Sequence, residues 1–600
     1  MTTRNERYTI MIETEQNFSG AELSPDHIDA AQTKNGDNVV GFTTNQFSLP
    51  KGYYRSVYFI GANLSIGLGL FSGVAGYGLT APVLSLINKE LGPSKDIIWV
   101  AFIYSLLLAV GFTLFGRFTD IFGRRWCCIG GACFGLLGSI LGATANSIGQ
   151  LIAGAAFIGI GASTQMSYNI TTGELVPMKY RFLANSIMFV FCIPGSGFGP
   201  AVATSFILKT RVGWRGIYYL LISTNGASLV GIVAFYFPPT FKMKHHDASL
   251  WTLIKNMDYG GVFLYTAGLL LLLMGLSWGD TLHPWKSAAV IAPIVVGILC
   301  LVALGFYEVY MPLEEPLVPP HLFKNIPWVA SIVLLGLSAG VYYAFAIVWP
   351  QMVSILYANG DLMYVGVASC AHGSCIILGQ MTAGVCAKPL GRVNYQAFLT
   401  YLIGGILLCC IVTTNPDTKA RAIGLLCSGC FFVGWTEGLG IGLQTVAINN
   451  QQEIGTAAGI SSSVRSGLGT IAAAVYTAVL TTRLQKTIPE RVPQALTKAG
   501  LPASSIPAFL QAIQTGSFTS VPGISQSAII AGTTAYKWAA SDAFHTVFLT
   551  TLAFTGLGLI LCYWVPDVNK RLTDDIVTTL HQPNTEAVVA GNSTTTDPEK

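Results

Sequence analysis

Charge is what this chain has least of. Asp, Glu, Lys and Arg make up 10% of its 600 residues, where an ordinary soluble domain carries about 25%. A soluble fold of that length needs a polar skin, and a chain that is 52% hydrophobic has too few polar side chains to make one. Most of its outer surface must therefore face lipid. The net charge is only +4 and no basic patch rises above the short loops, which excludes a nucleic-acid binder. A disulfide framework is also missing. Nearly all thirteen cysteines fall inside apolar runs, as Cys192, Cys300, Cys409, Cys410 and Cys562 do, where a thiol acts as a small apolar side chain. "CSGC" at 427–430 has metal spacing but no further ligand set around it, so neither metal nor cofactor is expected. No G-x-x-x-x-G-K-[ST] phosphate loop occurs, so any transport must draw on a gradient. No nucleophile–base set is visible either, so the chain reads as no enzyme. The first fifty residues are polar and aperiodic, without a signal-peptide pattern, and read as a disordered tail.

What is there in quantity is long apolar runs. A bilayer-spanning helix needs about 20 apolar residues, and continuous rather than alternating runs mark helices rather than a barrel. Such runs lie at roughly 56–79, 97–115, 127–146, 150–171, 184–207, 216–237, 259–278, 287–307, 328–350, 363–386, 396–413, 421–446, 457–482 and 544–565. The fold class is thus an all-α membrane protein with about fourteen spans. An even count puts both tails on one side. Lys and Arg near the span ends favour that side modestly as the cytosol, with the loop at 116–126 and "KMKHHD" at 242–247 as the best support. The stretch "EEPLVPPHLF" (314–323) should lie inside, and a long Pro-containing loop at 486–541 outside.

The scarce charges concentrate in "GRFTDIFGRR" (116–125), between the second and third runs. The stretch has an echo: "GRFTDIFGR" (116–124) aligns with "GVCAKPLGR" (384–392). Gly116, Gly123 and Arg124 meet Gly384, Gly391 and Arg392, and Asp120 meets Lys388. A second echo pairs "IGIGAS" (158–163) with "LGIGLQ" (439–444). Internal symmetry of this kind marks transporters. It divides the chain into a tail (1–50), a six-helix half (51–240), an inserted helix pair with a linker (241–325), a second six-helix half (326–566) and a closing tail (567–600). Within the stretch, glycines let helix ends approach. Asp120 can cap a helix N-terminus and pair with a basic partner, while Arg124 and Arg125 offer bridges to the facing half, with Arg117 in the same gate. Such pairs hold one conformation of a rocking protein and break in the other. The plain alternative is a basic loop that only fixes orientation.

That stretch resembles the loop 2–3 signature of the major facilitator superfamily. More of the chain, roughly 50–570, resembles one branch of it. "WRGIYYL" (214–220), "FYFPPTF" (235–241), "DYGGVFLYTAGLLLLLMGLSWGD" (258–280), "PLVPPHLF" (316–323), "YYAFAIVWPQMV" (342–353) and "NNQQEIGTAAG" (449–459) are similar to the fungal trichothecene efflux pump family, among the fourteen-span proton-coupled facilitators. The resemblance implies the major facilitator fold and proton-driven export of a hydrophobic secondary metabolite, mycotoxin or drug. Fungal siderophore–iron transporters share the layout, so proton-coupled import of a ferric siderophore is the alternative. A transporter-like sensor is a third reading, disfavoured by the short tails. The resemblance also implies a monomer in the plasma membrane, with a vacuolar or vesicle membrane as the other location. Its partners would be protons, lipid and a small hydrophobic substrate, with no nucleic acid.

Two departures from the antiporter pattern bear on mechanism. The fifth-span motif is "GSGFGPAVAT" (195–204), keeping Gly195, Gly199 and Pro200 but placing Ala203 and Thr204 where the pattern has glycines. The fourth span, "LIAGAAFIGIGAS" (151–163), has Ala155 where the pattern has an arginine. Glu437, deep in the twelfth run, maps within a residue of Ala155 by the second echo. A carboxylate in a span is by default functional, and burial would favour its neutral form, so Glu437 is the first proton-coupling candidate. His372 in "SCAHGSC" (369–375) is the second. Glu174 and Arg181, flanking Pro177, read as gate or capping residues. Polar residues in spans near a central cavity are the substrate candidates: Asn63, Gln165, Tyr168, Asn169, Tyr342, Tyr343 and Gln351. Amides and aromatic rings suit a bulky oxygenated apolar ligand, though each could equally bond a neighbouring helix.

Overall fold

A computed structural model describes residues 39–92, 94–239, 255–279, 282–313, 315–515, 518 and 521–580. "KMKHHD" at 242–247, most of the first tail and the end of the second lie outside the described residues.

Thirteen helices among the described residues are long and apolar enough to cross a membrane. The first, second, third and fourth spans are Val57–Gly78, Trp99–Phe122, Arg124–Ala143 and Ile148–Gln165. The sixth to twelfth are Arg215–Phe235, Tyr259–Trp278, Ala288–Tyr310, Ile326–Met352, Leu362–Leu390, Val393–Cys409 and Lys419–Val446. The thirteenth and fourteenth are Ile454–Lys498 and Gln526–Cys562. The expected fifth span is present but broken, into Arg181–Phe189, a π-turn at Ile193–Gly197 and Gly199–Lys209. Pro194 and Pro200 explain the break, since each removes a backbone donor and clashes with the preceding turn.

Polar caps start many of these helices. Ser56, Ser147, Asp258, Asn325, Asp361 and Ser525 each accept a hydrogen bond from a backbone N–H of the first turn, satisfying donors that lipid would leave bare. Spans one to six pack among themselves, as do nine to fourteen. Two seams join the groups: the second span against the thirteenth, and the broken fifth against the tenth. The seventh and eighth spans pack on each other, and the seventh leans on the first seam. There Tyr265 bonds both Thr113 of the second span and Ser463 of the thirteenth. Outward side chains such as Val230, Phe263, Leu299 and Ile560 are exposed and apolar, as lipid contact requires.

Two regions differ from expectation. The segment 486–541 is largely helical rather than a loop. The thirteenth helix runs on to Lys498, a short helix covers Ile506–Thr515, and the fourteenth begins at Gln526. Val492, Leu496, Leu501, Phe509, Ala512, Val521 and Ala528 form a small core of their own there. Polar composition misled the reading, because helices that rise out of the bilayer need not be apolar.

The tails are also partly ordered. Strand β1 (Thr44–Asn45) pairs antiparallel with β2 (Asp575–Ile576). Val40 exchanges backbone hydrogen bonds with Asn449 and Gln451. The second tail reaches both groups of helices: Arg571 donates to the Ala447 carbonyl, the Thr578 N–H donates to the Glu174 carbonyl, and Lys179 pairs with Asp574. The hydrogen bond to Asp574 raises the Lys179 ammonium above the ordinary lysine pKa. Residues 40–46 and 571–580 thus form a strap across one face.

Candidate functional site

The strapped face carries the charged stretch. Asp120, at the end of the second span, accepts from the Thr456 backbone N–H at 2.6 Å and from the Thr456 hydroxyl at 2.8 Å. It therefore caps the first turn of the thirteenth span. The glycines around it are forced by proximity. A Cβ on Gly116 would overlap the Gly455 carbonyl, and one on Gly459 would lie 2.6 Å from the Phe112 carbonyl. Gly123 has φ +92° at the turn between spans two and three, a conformation open to glycine. Arg124 is buried and pairs with Asp120 at 2.9 Å and with Glu174. It does not reach the facing half, as the sequence reading expected. Nor does Arg125, which donates to the Val233 carbonyl at 3.1 Å and lies 3.9 Å from the Phe237 ring centroid. Both arginines turn back because their acceptors sit in the first six spans. Arg117 instead pairs with Glu315 of the linker before the ninth span. Arg181 makes the cross-seam contact that Arg124 does not, donating to the Thr445 carbonyl at 2.9 Å and to Gln451 at 2.8 Å.

The echo has the same geometry without the same charges. Gly384 of the tenth span touches Phe182 and Ser186 of the fifth, as Gly116 touches the thirteenth. Gly391 has φ +61° at the turn between spans ten and eleven, as Gly123 has between two and three. Lys388 lies over the Tyr180 ring and Arg392 near Tyr395. In the fifth-span motif, a Cβ on Gly199 would lie 2.9 Å from the Gly78 carbonyl, and one on Gly195 3.1 Å from the Ala75 Cβ. Those glycines seat the fifth span on the first. The Pro200 carbonyl accepts the Thr204 hydroxyl, and Ala203 is fully buried, so both replacements pack without opening a gap.

Between the seams lies a cavity lined by Phe112, Tyr168, Asn169, Phe189, Tyr342, Tyr343, Gln380, Gln444, Ser462 and Arg465, among others. Four of the seven substrate candidates are in that wall: Tyr168, Asn169, Tyr342 and Tyr343. Three are not. Gln165 is buried among the first six spans, bonded to Asn225 at 2.6 Å. Asn63 faces a lateral groove and donates to the Phe59 carbonyl. Gln351 is exposed near the end of the ninth span. The Tyr342 and Ser196 hydroxyls share a hydrogen bond of 2.7 Å across the fifth-span seam. His372 lies behind that wall, stacked on Tyr342 with ring centroids 5.3 Å apart. Tyr168 Oη, Asn169 Nδ2 and Gln444 Oε1 are buried and have no hydrogen-bond partner among the described residues.

Glu437 is completely buried and is not a lone carboxylate. Its Oε1 accepts from Arg465 Nε at 2.8 Å and from Nη2, while Oε2 has no partner among the described residues. A guanidinium on the thirteenth span is its partner. Arg465 was missed by sequence reasoning, as were Gln380 and Gln444. A lone arginine in "SSSVRSGLG" (461–469) is the same signal that singled out Glu437. Arg465 touches both Glu437 and the cavity, so this pair links the interior of the second half to whatever occupies the space between halves.

A trichothecene efflux pump (TRI12) of Fusarium sporotrichioides is 26% identical over 566 residues, covering 92% of this chain and 93% of that one. An MFS-type transporter, prx5 of Penicillium rubens, is 27% identical over 521 residues, covering 83% and 90%. Among solved structures, the proton:xylose symporter XylE superposes with a TM-score of 0.52 at 12% identity, over 87% of this chain and 99% of that one; it shares the major facilitator fold. Residues 29–599 match the sequence model of the fungal trichothecene efflux pump family (TRI12), and the chain belongs to that family of multi-pass membrane transporters.

Proposed function

We propose that this protein exports a hydrophobic, oxygen-bearing secondary metabolite of mycotoxin type, by alternating access and in exchange for protons, as a monomer in the plasma membrane. The cavity carries the reading. Its aromatic wall suits an apolar body, and the three unpartnered polar atoms, on Tyr168, Asn169 and Gln444, suit hydroxyl or carbonyl groups on a ligand. Family membership places the weight on efflux and lends ferric siderophore import no support.

In this reading the stretch 116–125 latches the strapped face. Asp120 on Thr456 and glycine on glycine hold the second span to the thirteenth, and the latch must part when the halves rock. Proton coupling falls to Glu437 and Arg465, in the half opposite the arginine that the fourth span lacks. A proton reaching Glu437 removes the charge that holds Arg465, and frees the guanidinium for an oxygen of the substrate. His372, one ring behind Tyr342, is the second candidate for that proton.

The test is accumulation of a labelled trichothecene in fungal cells stripped of their own pumps, with and without this protein, before and after a proton uncoupler. Lower accumulation that the uncoupler restores is expected. Correctly localised protein that leaves accumulation of this and related toxins unchanged would overturn the export reading.

A further inference from the structure

A second concave site lies away from the cavity and shares no lining residue with it. It is a groove between the start of the first span and the fifth, lined by Phe59, Ile60, Leu64, Leu183, Ile187 and Phe191, and roofed by Gln46 and Tyr54. Ile60, Leu64, Leu183 and Ile187 are exposed, so the groove opens sideways to lipid. From Tyr180 to Phe191 it follows the fifth span for about 16 Å at 1.5 Å per residue, roughly the depth of one leaflet.

Its polar end is unusual. Gln46 Oε1 and Tyr54 Oη are buried and have no hydrogen-bond partner among the described residues. Buried polar atoms in proteins are nearly always bonded, and leaving them bare costs free energy that a ligand hydroxyl would return. No charged side chain lines the groove, so a phosphate headgroup finds no counter-charge there. The occupant that fits has a rigid apolar body, one neutral hydroxyl and a length near one leaflet.

We infer that the groove binds a sterol of the surrounding bilayer, its hydroxyl on Tyr54 Oη and Gln46 Oε1 and its ring system along the fifth span. Gln46 also donates its backbone N–H to the Asp574 carbonyl, so a sterol seated there braces the strap across the transporter's face.

The test uses the full-length protein in proteoliposomes with three photoactivatable probes: a sterol with a free hydroxyl, its O-methyl ether, and a phosphatidylcholine. The free sterol should label peptides spanning 54–64 and 180–191, and excess unlabelled sterol should compete. Tyr54→Phe, which keeps the ring, should lower that labelling about five- to tenfold, the loss of one hydrogen bond, and the ether, which cannot donate to Gln46 Oε1, should label more weakly than the free sterol. Ala184→Trp, which fills the groove, should lower both. Phosphatidylcholine labelling the same peptides as strongly would reduce the groove to ordinary lipid-facing surface. Labelling displaced by a trichothecene but not by sterol would make it a cargo portal. Either result overturns the inference, as would Tyr54→Phe without effect.

Discussion

Glu437 and Arg465 sit 28 positions apart on different helices, and Glu437 meets its partner where it is itself completely buried. Removing one partner of a buried pair costs about 3–5 kcal/mol, whereas removing both is often neutral. Arg465 keeps 15% of its side chain exposed toward the cavity, so the cost here falls at or below that range. Glu437→Gln and Arg465→Gln should each lower the yield of monodisperse protein in detergent. The double substitution should recover most of it, and all three should lose uncoupler-sensitive export. A double mutant no better than the singles would deny the pair its structural role, and normal proton-coupled export by Glu437→Gln would sink the proton assignment. Asp120→Asn keeps one acceptor for Thr456 but loses the charge that meets the helix N-terminus. It should slow export about tenfold, the value of one charge-assisted hydrogen bond, and leave substrate affinity unchanged in an equilibrium binding assay. At this scale the sequence was readable wherever a polar residue is costly. Asp120, Glu437, Tyr168 and Asn169 stand out for that reason. Asn63, Gln165 and Gln351 were misplaced because a helix that is apolar all round does not say which side faces the partner half.

Among the helices, the contacts that decide the conformation are made by glycine. Gly116, Gly455 and Gly459 bring the second and thirteenth spans together, and Gly384 does the same for the tenth and fifth. A side chain at Gly116 would meet backbone, which cannot move aside. Gly116→Leu should therefore hold the strapped face open, seen as faster hydrogen–deuterium exchange in peptides covering 116–125 and 451–460 with the fourteenth span unaffected. Unchanged exchange would mean that the seam opens and closes elsewhere. The echo at 384–392 was legible because close approach fixes glycine regardless of charge. The helical extension at 486–541 was not, since Pro489 and Pro493 read as loop signals. A helix outside the lipid core can bend at proline and let water satisfy the freed carbonyls.

Taken as one body, the transporter is tied across the strapped face by its two tails. Strands β1 and β2 join each other, Val40 reaches Asn449, and Lys179 and Glu174 hold the other end. A state open on that face must stretch or release these bonds. Deleting residues 573–600 should populate that state, raising the accessibility of the Asp120–Thr456 seam to a water-soluble label. Equal accessibility in the truncated and intact proteins would make the strap a passive appendage. Apolar runs marked fourteen spans, and the two echoes marked two related halves. Neither gave a hint of the strap, because polar tails of this composition read as disorder until they find backbone partners on the body they hang from.

The thirteenth helix has 45 residues, a length of about 68 Å against a hydrocarbon core of about 30 Å. Its outer end and the start of the fourteenth close around Phe509 and are tied by Arg491 and Asp542. A carrier of 63.9 kDa sunk in a micelle offers little for image alignment. This helical projection supplies an off-axis landmark. An antibody fragment raised against it would add mass and break the pseudo-symmetry of the two halves while leaving both seams free to move.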